Sequence, residues 1–234
     1  MRSRRKRARA NMALNTDLAF TDSVKAIQEA RGSRAAYRRV EERGGFERRI
    51  TPELARFLSE RTSVYLATAN ALGQPYVQHR GGPPGFLRAL DDRTLAFADF
   101  RGNRQYISLG NLAENERAFL FAMDYASRTR IKLWGRARVV DDDPALLERL
   151  ADPGYGARGE QAIVFRVDAW DRNCPQHIPR LVEAAPFERE IAALRERIAG
   201  LEADNRALCL TPTSAEGDQH ERAQHEAADG SRLR

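Results

Sequence analysis

Three groups of basic and amide-bearing residues have the types and spacing to hold an anion. His79-Arg80 close a short β-type run just before Gly81-Gly82. Glycine there lets the backbone come close to a ligand, and the planar fork of Arg80 suits phosphate oxygens. Gly102-Asn103-Arg104 open a helical pattern, whose first amides are free to point at an anion. Arg130 and Lys132 stand two apart in an alternating run, so they share one face of a strand while Ile131 and Leu133 take the other. Each cation alone is more often a solvated surface residue, and the alternative for residues 75–111 is a tight β-meander with ordinary turn residues. Together the three groups describe a phosphate site.

These residues need a scaffold, and the pattern supplies one. Thr21-Asp22-Ser23 start a helix with Val24, Ile27 and Ala30 at helical spacing, ended by Gly32. A second helix is expected over 35–43, stopped by Gly44-Gly45. Thr51 as N-cap and Pro52 at the first helical position start a third, with Leu54, Phe57 and Leu58 on its apolar face. Strands are expected at 63–69, 76–80, 117–124, 129–140 and 162–170, with a hairpin of 86–90 and 94–98 around Asp91-Asp92-Arg93. The nearly continuous apolar run 117–124 predicts a deeply buried strand. A helix is expected over 103–115, and a short one after Asp143-Pro144. Short strands with short turns and one inserted helix predict a mainly β (α+β) fold, a closed or half-open antiparallel barrel and not a doubly wound sheet.

Residues 186–209 differ in kind. Ile191, Leu194, Ile198, Leu201, Asn205 and Leu208 alternate between the a and d positions of a heptad, the pattern of a two-stranded coiled coil. Such a short seam is marginal alone and suits a dimer held elsewhere; the other reading is a helix packed on its own barrel. The expected organisation is a disordered basic tail (1–20), N-terminal helices (21–60), the barrel domain (61–183), the heptad helix (186–209) and a disordered polar tail (210–234).

Composition narrows the function. Hydrophobic residues make up 42% of the 234, enough for a core. No run reaches the ~18 apolar residues of a membrane span, and MRSRRKRARAN is not followed by a secretory apolar stretch. A cytoplasmic protein that engages no membrane is expected. The net charge is +6, and Arg2, Arg4, Arg5, Lys6, Arg7 and Arg9 account for all of it. The rest of the chain is formally neutral, so a nucleic-acid-binding face is not expected. Two cysteines, Cys174 and Cys209, and four scattered histidines give no metal-ligand spacing.

The segments YLATANALGQPYVQHR, TLAFADFRGNRQ, LAENERAFLFAMD and RIKLWGRARVV, in this order, resemble the pyridoxamine 5'-phosphate oxidase-like flavin proteins over roughly residues 53–172. QHRGGPPGF, DFRGNRQYIS and NCPQHI are similar to a bacterial subgroup of that family with no settled substrate. The resemblance implies an FMN-binding split β-barrel and a homodimer with a shared flavin site. It assigns the FMN phosphate to Arg80, beside His79, and to Arg104 with Gln105. Asn103 stands where the family has a small hydroxyl residue, Asp99-Phe100 lie along the flavin, and Arg130 with Lys132 reach the isoalloxazine across the dimer. The implied activity is that of an FMN-dependent oxidoreductase on a small molecule, with NAD(P)H a possible donor. The alternative is a non-catalytic dimer holding flavin, heme or deazaflavin in stress response or regulation.

The chain departs from the oxidases after its last strand, where AWDRNCPQHIPR runs into the heptad helix instead of a Trp/Arg-rich segment, so synthesis of pyridoxal phosphate is not expected. Catalytic residues are not assigned. The candidates are His177 as a proton donor and Cys174 as a redox thiol, against a turn with a buried cysteine and a structural histidine.

Overall fold

The computed structural model describes residues 14–172, 175–182 and 184–210. They fall into two compact units, divided between Leu181 and Val182. The first opens with a single 3-10 turn, Asn15–Leu18, then α1 (Asp22–Ala30), α2 (Arg34–Glu42) and α3 (Pro52–Ser59). The starts of α1 and α3 follow from their caps. Thr21 Oγ1 accepts from the Val24 amide at 3.4 Å, and Thr51 Oγ1 accepts from the Leu54 amide at 3.2 Å, with Pro52 pre-set in the first turn.

Seven strands follow: β1 (Ser63–Ala69), β2 (Pro75–Gly81), β3 (Arg88–Ala89), β4 (Thr94–Phe100), β5 (Arg117–Asp124), β6 (Thr129–Val140) and β7 (Gly159–Arg172). Helix α4 (Ile107–Glu114) joins β4 to β5, and α5 (Pro144–Leu150) joins β6 to β7. The order is β2-β1-β5-β6-β7-β4-β3, antiparallel throughout. The sheet curls without closing, as a split barrel, and β2 and β3 are its edges. Inside lie Val64, Leu66, Leu120, Leu133, Phe165 and Phe97, capped by Leu54 and Leu58 of α3. A second cluster, Ala96, Ala98, Val140, Val164, Leu146 and Leu150, fills the space under α5, which is why β4 is buried on both faces.

Several expectations need correction. Residues 14–20 are structured, because the Asn15 side-chain amide donates to the Phe46 carbonyl while its Oδ1 accepts from the Phe46 amide at 3.1 Å. Residues 1–13 and 211–234 lie outside the described residues. Strand β5 is not buried throughout: Ala118, Leu120 and Ala122 point in, while Phe119 and Phe121 are half-buried on the outer face. That face is only partly covered, by Phe46 stacked on Trp134 at 5.1 Å and by Phe119 edge-on to Trp134 at 5.4 Å. The inserted helix begins at Ile107, not at Asn103, because Arg104 and Tyr106 have φ of 59° and 54°, which a right-handed helix cannot contain. The hairpin strand expected over 86–90 shrinks to Arg88–Ala89. The Gly-Gly-Pro-Pro-Gly turn is half-buried, with Pro84 exposed, and leads the chain into the core. A Cβ on Gly82 would stand 2.7 Å from Phe86 Cβ, the Gly85 amide donates to the Ser59 carbonyl at 2.6 Å, and Phe86 and Leu87 follow into the interior.

The described part of the second unit contains the helix α6 (Ala184–Leu210). Its Phe187, Ile191, Leu194, Ile198 and Leu201 are each about half exposed.

Candidate functional site: a cleft at the split of the barrel

Strands β2 and β4 are not neighbours in the sheet, and side chains join them. Arg80 Nη1 donates to Asp99 Oδ1, and the two side chains are only 11% and 8% exposed. Arg80 Nη2 donates to Gln78 Oε1 at 3.0 Å, which also accepts from Ser108 Oγ of α4 at 2.8 Å. Gln161 of β7 donates to Asp99 Oδ2 at 2.9 Å. Helix α4 is fixed over this edge by Asn111, whose amide donates to Thr68 Oγ1 at 3.0 Å in the interior. The result is a cleft of about 260 Å³ walled by Gln78, Arg80, Asp99 and Phe100 on the strands, by Gly102, Asn103, Arg104 and Tyr106 on the loop, and by Leu109 and Glu160.

One donor in this cleft stands out. Arg80 Nε is buried and has no partner, and an unmet buried donor is costly. The loop beside it is pre-shaped: the Gln105 amide donates to Asn103 Oδ1 at 3.3 Å, and Arg104 Nε donates to the Tyr106 hydroxyl at 3.0 Å. That bond raises the Arg104 guanidinium above its ordinary value. Tyr106 occupies the N-cap of α4 without a side-chain cap bond, which leaves first-turn amides for a ligand. A phosphate fits these donors. Its cost is also visible, because Asp99 and Glu160 share the cleft; Glu160 is held by Arg101 Nε at 3.6 Å and Asp99 by Arg80.

Of the residues singled out from sequence, Arg80, Asp99, Phe100, Asn103 and Arg104 meet in this cleft, while Gln105 sits in the loop without lining it. His79 does not reach it. It alternates with Arg80 and so projects to the outer face of β2, where its Nε2 is 2.8 Å from Ser63 Oγ and its ring lies edge-on to Tyr65. Arg130 and Lys132 share that outer face, as their spacing predicts. Lys132 Nζ is 2.8 Å from Asp171 and 5.2 Å from the Trp134 ring centroid, and Arg130 Nε is buried without a partner. His177 is exposed in a left-handed turn (φ 60°) and lines neither the cleft nor the concavity described next. Cys174 lies outside the described residues. A second concavity, of about 350 Å³ between α3 and the starts of β6, is lined by Leu54, Phe57, Ile131 and Trp170 and by none of the residues singled out.

Sequence reasoning missed Gln78, Ser108, Tyr106, Glu160 and Gln161. Gln78 was findable, since two residues before Arg80 means the same face of the strand. Glu160 and Gln161 arrive on β7, with no local signal that ties them to β4. Among the described residues no group of three or more His, Cys, Asp or Glu could hold a metal ion, and no helix is long and apolar enough to cross a membrane.

The sequence profile of the family described as pyridoxamine 5'-phosphate oxidase matches residues 50–174. The chain belongs to this family. The matched segment of the pyridoxamine 5'-phosphate oxidase family runs from the start of α3 through β7 and so contains the whole cleft. No curated protein matches the chain. Among solved structures it is similar to Group A Streptococcus HupZ, at 17% identity over 57% of this chain and 99% of that one, with a TM-score of 0.44. It is also similar to a candidate pyridoxamine 5'-phosphate oxidase from Lactobacillus delbrueckii, at 24% identity over 53% and 95% of the two chains and a TM-score of 0.41. An FMN-binding protein from Syntrophomonas wolfei is similar at 14% identity over 66% and 99%, with a TM-score of 0.41.

Proposed function

We propose that this is a cytoplasmic FMN-dependent oxidoreductase acting on a small molecule. The cleft holds the phosphate end of FMN, and a second copy of the chain completes the site. The observation that carries the reading is the buried, unpartnered Nε of Arg80, set beside Arg104 and the uncapped start of α4. In this reading Arg80 and Arg104 grip the phosphate and the loop amides at 102–106 orient it. Bound FMN supplies the hydride or electron chemistry.

A cleft of about 260 Å³ is below the range of ~300–1,000 Å³ typical of a complete small-molecule pocket. It suits the phosphate end and leaves the ring in need of another wall. The outer face of β1, β2, β5 and β6 offers that wall from a second protomer. Tyr65 and Val77 are exposed on it, Phe119 and Phe121 half-buried, and Arg130 carries a donor with no partner. On this basis the chain is a homodimer in which Arg130 and Lys132 of one copy approach the flavin held by the other.

A second reading, a flavin-holding protein without turnover, is favoured by one observation. Both cleft carboxylates, Asp99 and Glu160, are already ion-paired, so neither is free as an acid or base. One experiment separates the two. Purified protein titrated with FMN shows quenched flavin fluorescence and, on anaerobic addition of NADH or NADPH, bleaching of the flavin band. Bound but unreduced FMN supports the second reading, and no binding defeats both.

A further inference from the structure

We propose that α6 pairs with α6 of a second copy as a parallel, in-register two-stranded coiled coil, with Asn205 opposite Asn205. This does not rest on the flavin reading. The helix runs unbroken over Ala184–Leu210, so the apolar stripe gains one more d position, Phe187. Ile191 and Ile198 then occupy a, and Leu194, Leu201 and Leu208 occupy d. A β-branched residue at a with leucine at d selects two parallel strands. A stripe of four aliphatic side chains and a phenylalanine, each about half exposed, is what such a pairing would cover.

The flanking charges choose the occupant. Glu190 and Arg197 fall at g, and Arg195 and Glu202 at e. In a parallel pair, g of one helix faces e of the next heptad in the other. In register, Glu190 then meets Arg195 of the second copy and Arg197 meets Glu202, and each attraction occurs twice by symmetry. Sliding one helix by a heptad sets Glu190 against Glu202 and Asn205 against Ile198. Turning one helix round to align Ile198 with Leu201 keeps opposite charges near each other but buries the Asn205 amide against Leu194, with no partner. Only the parallel in-register arrangement satisfies the charges and the amide together. Among the described residues none of these four charged side chains has an ion pair of its own.

The test uses the full chain with Cys174→Ser and Cys209→Ser, to which Leu201→Cys is added at a d position. Under mild oxidation Leu201→Cys is expected to form a covalent dimer at least about tenfold faster than Glu196→Cys on the far face, the gain of an intramolecular over a collisional reaction. Glu190→Arg in the Leu201→Cys chain is expected to slow that cross-link, and adding Arg195→Glu to restore it. Equal rates for the two cysteine variants would overturn the pairing. So would a cross-link that forms only between Ile198→Cys and Leu201→Cys chains, which means antiparallel helices. Failure of the charge swap to restore the rate would overturn the register. FMN binding by the same samples keeps the readings apart: cross-linking without FMN defeats the flavin reading alone, and FMN binding without cross-linking defeats the pairing alone.

Discussion

Arg80 and Asp99 form an ion pair between two strands that exchange no backbone hydrogen bond. The pair closes the split of the barrel and also occupies part of the donor set that a phosphate would use, so its two partners have opposite predicted effects on ligand binding. Arg80→Ala removes the grip and leaves Asp99 in the interior with only Gln161 as partner. It should abolish measurable FMN binding and lower stability by about 3–5 kcal/mol, the scale of an orphaned buried charge. Asp99→Asn frees Arg80 and removes a carboxylate from the anion's surroundings. It should tighten FMN binding by roughly 1–2 kcal/mol. Fluorescence titration of both variants checks the pair of signs, and weaker binding by Asp99→Asn would contradict the competition.

Arg104 is exposed and bonds only within its loop, to Tyr106. Arg104→Ala is therefore expected to leave thermal stability unchanged while weakening FMN binding by about 1–3 kcal/mol, the worth of a charge-assisted bond to phosphate. Unchanged affinity would remove the loop from the site.

Acid should weaken the turn between β5 and β6. Burial raises the Asp124 carboxyl, but the Ser127 hydroxyl at 2.6 Å and the Ser127 and Ala126 amides, with Arg61 at 3.2 Å, outweigh it and hold the group below its ordinary value of 3.8. A depressed carboxylate stabilises the fold above its unfolded value, and that contribution is lost as pH falls through the folded value. Urea unfolding should thus show stability falling below about pH 4. Asp124→Asn should lose about 1–3 kcal/mol near neutrality and show a shallower acid decline. An unaltered acid limb in the variant would place the titrating group elsewhere.

Gly135 sits at the register shift between β6 and β7, where an added Cβ would fall 2.1 Å from the Arg166 carbonyl and 2.7 Å from the Phe165 ring. Both neighbours are fixed, one as backbone and one in the core. Gly135→Ala is expected to cost at least about 1–3 kcal/mol, as overpacking does, and to lower the melting temperature. An unshifted melting curve would show that the bulge relaxes freely.

The fold was legible wherever a local signal set an element. The caps Thr21 and Thr51, the alternation of 129–140 and the Asp143-Pro144 start all lie where their side-chain chemistry puts them. The grouping of Arg80, Asn103 and Arg104, which line one cleft, is legible because arginine, amide and glycine types in that spacing suggest anion chemistry. The loop reads as helix from sequence because nothing in Arg104 or Tyr106 signals a left-handed backbone; the surrounding structure sets it. Adjacency groups His79 with Arg80 in the sequence, although strand alternation separates them. Glu160 and Gln161 depend on which distant strand β4 chooses to pair with, and that choice is made by the whole sheet.

That choice orders events in time. Strand β4 is made early, yet its main partner is β7, and Asp99 and Gln161 are 62 residues apart. As the chain leaves the ribosome, β1, β2, β5 and β6 can assemble while β4 has only the two-residue β3 beside it. Pairing over such a separation is slow, and its completion brings Gln161 to Asp99 and seats the wall that holds Arg80. The Asp99–Gln161 side of the cleft is thus complete only once β7 has paired with β4.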